Sequence, residues 1–165
     1  MMATRDINDL YEPLKDVVKK ALEVAKNKGL NILVYFVKRT AQEQRALYSQ
    51  GRNNLKTVNA LRAAVGFDPL TEKQNRIVTW TLRSYHTTEP KAMAFDFAPG
   101  TSGNISWNVK EDMNDNDIPD YKEFADICKS IDENIEWGGD WDGKPDFGHI
   151  QWKNGINIKQ NEPKK

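Results

Sequence analysis

Cysteine is nearly absent from this chain and histidine is scarce. The one cysteine, Cys128, excludes an intramolecular disulfide framework, and its place in a helical pattern reads as core filler. The 24 basic and 24 acidic residues cancel. Composition therefore carries no electrostatic footprint for nucleic acid and no polybasic anchor for membranes. No run approaches the roughly 18 apolar residues of a membrane span. The first residues, MMATRDINDLYEPLKDVV, lack the basic-then-apolar order of a secretory signal. The expectation is synthesis in the cytoplasm with no nucleic-acid or membrane partner. Action elsewhere would then need another protein to release the chain.

What is present suffices for one compact domain. The 165 residues include five tryptophans and an ordinary apolar share. Pro13 opens a helix in which Leu14, Val17, Val18, Ala21, Leu22 and Ala25 recur at helical spacing, and Gly29 ends it. NILVYFV, residues 31–37, reads as a buried strand. Thr40 and Glu43 form a capping box for a second helix running to Gly51. A short helix over 60–65 and a strand entered from RIVTW, residues 76–80, are also expected. Tyr121 to Ile131 is an amphipathic helix, and IEWGGDW and FGHIQW read as a closing pair of strands. With no repeat or linker, the expectation is a single α+β domain over 1–165. It has a central antiparallel sheet flanked by helices and a fraying polar tail over 153–165. No second domain is expected, and the chain is expected to be a monomer.

The chemistry concentrates in SYHTTEPKAMAFDFAPG, residues 84–100, and PDFGHIQW further on. Alternation places Ala92, Ala94, Asp96 and Ala98 on one face of a strand and Met93, Phe95 and Phe97 on the other. Small alanines leave room beside the carboxylate. His86, Asp96 and His149 offer two imidazole nitrogens and one carboxylate, a donor set that suits zinc with a position left for water. Asp146, three residues before His149, could take a proton from that water. From residue types alone two readings stay open: a metal site, or two structural histidines and a buried carboxylate.

Three segments resemble the LAS-type (VanY-like) zinc peptidases, closest to the L-alanyl-D-glutamate endopeptidase and phage endolysin group. They are RTAQEQRALYSQGR (39–52), IVTWTLRSYHTTEPKAMAFDFAP (77–99) and EWGGDWDGKPDFGHIQW (136–152), and they stand in family order. The resemblance implies His86, Asp96 and His149 as zinc ligands, Asp146 as general base, and Arg39 as the group that binds the substrate carbonyl and its oxyanion. It implies for Ser84 either a supporting hydrogen bond or a direct part in catalysis. The implied substrate is the stem peptide of peptidoglycan. Aspartate ahead of His-Ile favours the L-Ala-D-Glu bond, with D-Ala-D-Ala carboxypeptidase activity and a non-catalytic zinc-containing wall-binding module as alternatives. The spacing from His86 to Asp96 departs from the family pattern. TTEPKA reads as a three-residue insertion that puts the shape of the cleft wall in question.

DMNDNDIPDYKE, residues 112–123, follows the calcium-loop pattern at Asp112, Asn114, Asn116 and Glu123. Asp117 replaces the glycine that makes the sharp turn. The competing reading is a solvated acidic loop with Asp120 capping the next helix.

Overall fold

The computed structural model describes residues 4–155, so the expected fraying over 156–165 lies outside the described residues. Lys153, the first residue of the polar tail, is held: its N–H donates to the Asn134 carbonyl at 2.7 Å. The elements in chain order are α1 (Glu12–Asn27), β1 (Ile32–Phe36), α2 (Ala41–Ser49), α3 (Leu55–Ala63), β2 (Ala94–Thr101), β3 (Asn104–Ile105), α4 (Asp120–Ile131), β4 (Ile135–Trp137) and β5 (His149–Trp152). This is the expected small α+β fold. The strands are antiparallel in the order β1-β2-β5-β4, with β3 paired to the far end of β2.

The β2 strand divides the molecule into a packed face and a chemical face. Phe95 and Phe97 are fully buried and point towards α1 and α4, which pack against each other over the sheet. Phe97 meets Phe124 of α4 at a ring-centroid distance of 4.7 Å and Tyr121 at 5.6 Å. From α1, Leu14, Val17, Val18, Ala21 and Ala25 complete this core, as their spacing predicts. Each fully buried large side chain contributes about 1.5–3 kcal/mol by removing apolar area from water. The other face of β2 carries Asp96. Register places Asp96 opposite His149 and next to Phe36, while Gln151 lies opposite Glu136. Directly opposed residues share a face. The antiparallel register therefore assembles Asp96, His149, Gln151 and Glu136 on one side of the sheet.

Several local expectations need correction. β1 is half-buried along its length, because it is an edge strand with one neighbour. The capping box at Thr40 and Glu43 is present, but α2 ends at Ser49, where Gln50 turns to extended backbone. The helix expected over 60–65 starts earlier: the Asn54 side chain accepts from the Thr57 N–H and begins α3 at Leu55. RIVTW leads into no strand. Residues 75–83 run without ladder partners, tied instead by the Gln44 amide, which donates to the Thr79 hydroxyl and the Thr81 carbonyl. Asp120 does not cap α4, since Pro119 holds that position. The Asp120 carboxylate accepts from the Met113 N–H instead.

Candidate active site

His86 comes from a single turn of 3-10 helix, Tyr85–Thr87. Ser84 caps that turn, its hydroxyl accepting from the His86 N–H at 3.2 Å. Its role in the structure is thus to set the backbone that carries His86. Among the described residues, His86, Asp96 and His149 are the one group of three His, Cys, Asp or Glu side chains whose ligand atoms all lie within 4.8 Å of one another. Asp96 Oδ1 stands 3.2 Å from His86 Nε2 and 3.0 Å from His149 Nδ1.

The outer nitrogens settle what the inner ones can do. His86 Nδ1 lies 2.7 Å from the Val37 carbonyl, which only accepts, so that nitrogen carries the proton. His149 Nε2 lies 2.9 Å from Gln151 Oε1. The Gln151 amide is itself oriented, because its nitrogen donates to Glu136 Oε2 at 3.2 Å. Glu136 Oε1 in turn accepts from the Trp141 indole N–H at 2.7 Å. With both outer nitrogens committed as donors, each neutral ring turns a bare lone pair towards Asp96 Oδ1, itself an acceptor. Three acceptors at such distances require a positive centre among them, and the donor set fits a metal ion.

The same cluster attracts positive charge, whether an ion or a proton on a ring supplies it. Burial pushes the Asp96 carboxyl up, but the two imidazoles outweigh it and hold the group well below the usual carboxylate range. Burial disfavours charge on His149 as well, yet the Asp96 carboxylate beside its ring raises its pKa overall. Asp146 moves the other way: burial raises its carboxyl above the ordinary value, with Asp96 adding to the rise and His149 opposing it.

A cleft of about 430 Å³ opens over this group. Arg39, Asp146, Trp141 and Gln151 line it together with the three ligand-type residues. Arg39 is fixed from two sides. Its guanidinium donates to Gln44 Oε1 at 2.6 Å and lies 4.5 Å over the Phe36 ring. Asp146 is fixed by the turn after β4, where its N–H donates to the Gly138 carbonyl at 2.9 Å. A Cβ on Gly138 would come within 2.4 Å of the Asp146 carbonyl and 3.2 Å of His149 Cβ, so only glycine fits there. The far wall is the unpaired segment Val78–Thr81 with Arg83. Lys144 reaches over the exposed Trp80 ring, 3.3 Å from its centroid.

The insertion TTEPKA does not form this wall. None of residues 87–92 lines the cleft, and the Lys38 ammonium ties the loop down through Glu89 Oε2 at 2.8 Å and the Pro90 carbonyl at 2.7 Å. Every expected cleft residue (Arg39, Ser84, His86, Asp96, Asp146 and His149) therefore meets in one place. Asp112, Asn114, Asn116 and Glu123 do not line it.

A family model described as D-alanyl-D-alanine carboxypeptidase, of the M15 peptidases, matches residues 78–152. Over 154 residues the chain is 30% identical to the peptidoglycan L-alanyl-D-glutamate endopeptidase CwlK of Bacillus subtilis, covering 92% of this chain and 76% of that one. The chain belongs to the M15 metallopeptidase family. This M15 peptidase is also 25% identical over 148 residues to the L-alanyl-D-glutamate peptidase of Listeria phage A118, where the match takes in 89% of this chain but 39% of the phage protein. In fold it is like the L-Ala D-Glu endopeptidase ChiX of Serratia marcescens, with a TM-score of 0.58 at 20% identity, over 92% of this chain and 86% of that one.

Sequence reasoning missed Gln151, Glu136 and Gln44 in this M15 peptidase. Gln151 had a signal: two residues beyond His149 on a strand, it shares the histidine's face. Glu136 and Gln44 had none, because strand register and the path of 75–83 bring them into place.

Proposed function

We propose that this M15 peptidase is a zinc-dependent peptidoglycan hydrolase that cuts the stem peptide at the L-Ala-D-Glu amide. His86, Asp96 and His149 would hold the zinc, Asp146 would serve as general base and acid, and Arg39 would stabilise the oxyanion. One observation carries the reading: two imidazole lone pairs and a carboxylate oxygen converge at 3.0–3.2 Å, with the outer ring nitrogens both donating elsewhere.

A zinc ion bound there supplies Lewis acidity towards the scissile carbonyl and an acidified water. Everything else falls to the side chains. The Asp146 carboxylate accepts a proton from the attacking water and delivers it to the departing amide nitrogen, so the C–N bond breaks and water is consumed. Its raised pKa suits a group that must both take and return that proton. Arg39 keeps its fork aimed by Gln44 and Phe36, leaving N–H groups for the oxygen that becomes negative. Ser84 holds His86 in place through the backbone. Trp80, with the Lys144 ammonium over its ring, lines the wall beside which the peptide would lie.

The relatives named for L-alanyl-D-glutamate cleavage, one bacterial and one phage, favour this bond. The family model's own description keeps D-Ala-D-Ala carboxypeptidase activity as the second reading. Digestion of purified peptidoglycan by the zinc-loaded protein, followed by mass spectrometry, separates them. New C-terminal L-Ala and N-terminal D-Glu support the proposal. Release of free D-Ala replaces it with the carboxypeptidase. Tight binding without new amino groups replaces it with a wall-binding module.

A further inference from the structure

We propose that residues 112–123 bind one calcium ion, through Asp112, Asn114, Asn116, the Ile118 carbonyl, Asp120 and Glu123. These are positions 1, 3, 5, 7, 9 and 12 of a twelve-residue calcium loop, with the last glutamate in the first turn of α4. The site lies away from the cleft and does not depend on the peptidase reading.

The missing glycine is the sequence's main objection, and the backbone answers it. Asp117, at position 6, takes φ = +65°, the left-handed conformation a glycine would supply. Aspartate and asparagine are the non-glycine residues that visit this region most readily. The turn is closed from within. Asp112 Oδ1 accepts from the Asn116 N–H at 3.1 Å and its Oδ2 from the Asp117 N–H at 2.8 Å, while Asn116 Oδ1 accepts from the Ile118 N–H at 2.9 Å.

The independent observation is a pair of buried oxygens. Glu123 is 3% exposed, and its Oε1 has no hydrogen-bond partner; neither has the buried Oδ1 of Asn114. Both belong to positions that ligate in a loaded loop, and the two side chains touch, the Asn114 amide donating to Glu123 Oε2 at 3.0 Å. A buried carboxylate oxygen without a hydrogen bond is costly, and a cation bound to it lowers the cost. The nearest ammonium, Lys28, is 3.5 Å from Oε1 with half its side chain in water, too far for a hydrogen bond. Asp120 is fully buried, and its carboxylate accepts from the Met113 N–H at 3.2 Å, which turns it back across the loop. Three carboxylates, Asp112, Asp120 and Glu123, thus belong to one short loop, and a divalent ion would offset their charge. Binding would draw Asp112, Asp120 and Glu123 closer than they now stand. It would fix the loop against the end of α1, where the Asn114 amide already donates to the Lys28 carbonyl.

Isothermal titration of CaCl2 into protein already saturated with zinc tests this. The expected result is one site per chain with a dissociation constant of about 10⁻⁵ to 10⁻³ M. Tm should rise by about 5 °C or more at a hundredfold excess over that constant. The weakening in Glu123→Gln should be at least about tenfold. Asp112→Asn removes the charge while keeping an acceptor for one of the two N–H groups, so it serves if Glu123→Gln fails to fold. His149→Ala should titrate with calcium as the unmodified chain does. Flat heats and an unchanged Tm up to about 10 mM calcium would overturn the proposal. So would full binding in both loop variants, or loss of the heat in His149→Ala, which would put the cation in the cleft.

Discussion

Gln151 touches no part of the cleft's would-be metal, yet it decides which nitrogen of His149 is free to bind one. Its amide oxygen accepts from Nε2, and Glu136 prevents the amide from turning over. Replacing it with leucine removes the acceptor and lets the ring protonate at either nitrogen. Zinc affinity in Gln151→Leu should fall about 10- to 100-fold, read by chelator competition, with the circular dichroism spectrum unchanged. Asp146→Asn tests the proton's carrier separately. It should retain one zinc while kcat falls about 10²- to 10⁴-fold, and a small loss would move the base elsewhere. At this scale His86, Asp96 and His149 were legible in the chain because chemistry demands those residue types and the strand alternation exposes the aspartate. The Val37 carbonyl that orients His86 was not legible, since any residue supplies a carbonyl.

Among the elements, the turn after β4 carries more of the site than its length suggests. It sets Asp146 through the Gly138 carbonyl and leaves no space for a side chain at Gly138. Gly138→Ala should therefore lower kcat about as far as Asp146→Asn does, although it changes no cleft side chain. Steady-state kinetics with zinc content measured alongside would show it, and unchanged kinetics would mean the backbone yields more easily than a contact of 2.4 Å allows. Helices α1 and α4 were readable from periodicity, because their apolar faces pack over the sheet, and α2 from its capping box. The segment 75–83 was misread for a physical reason. Ile77, Val78, Trp80 and Leu82 have the composition of a strand, but no sheet edge is offered to them, and they remain exposed beside the cleft. β-propensity describes a fit to a pleated, half-buried surface, and here the surface is the cleft itself.

For the whole molecule, stability and function occupy opposite faces of one sheet. The face of Phe95 and Phe97 meets α1 and α4, and Phe97→Ala should cost about 3–5 kcal/mol of unfolding free energy in urea titrations. Cys128 lies within the same packed side, where burial pushes its thiol far above the ordinary value. A group whose pKa is raised on folding gives its full contribution below the unfolded value and loses it as pH climbs towards the folded one. Stability should thus decline above pH about 8.5, by up to about 1.4 kcal/mol per pH unit from this thiol. Cys128→Ala should be less stable near neutrality and lack that part of the slope. A slope unchanged in the variant would assign the alkaline loss to other groups, Tyr35 and Tyr121 among them, whose hydroxyls burial also raises.

The central claim is that His86, Asp96 and His149 jointly hold one zinc ion. Its most direct measurement is the metal content of the purified chain after exhaustive dialysis, by inductively coupled plasma mass spectrometry, beside an Asp96→Ala variant that keeps its fold. The account predicts one zinc per chain, falling below about a tenth in the variant, since two imidazoles alone hold the ion weakly. A chain without zinc, or a variant that keeps its full complement, would contradict it.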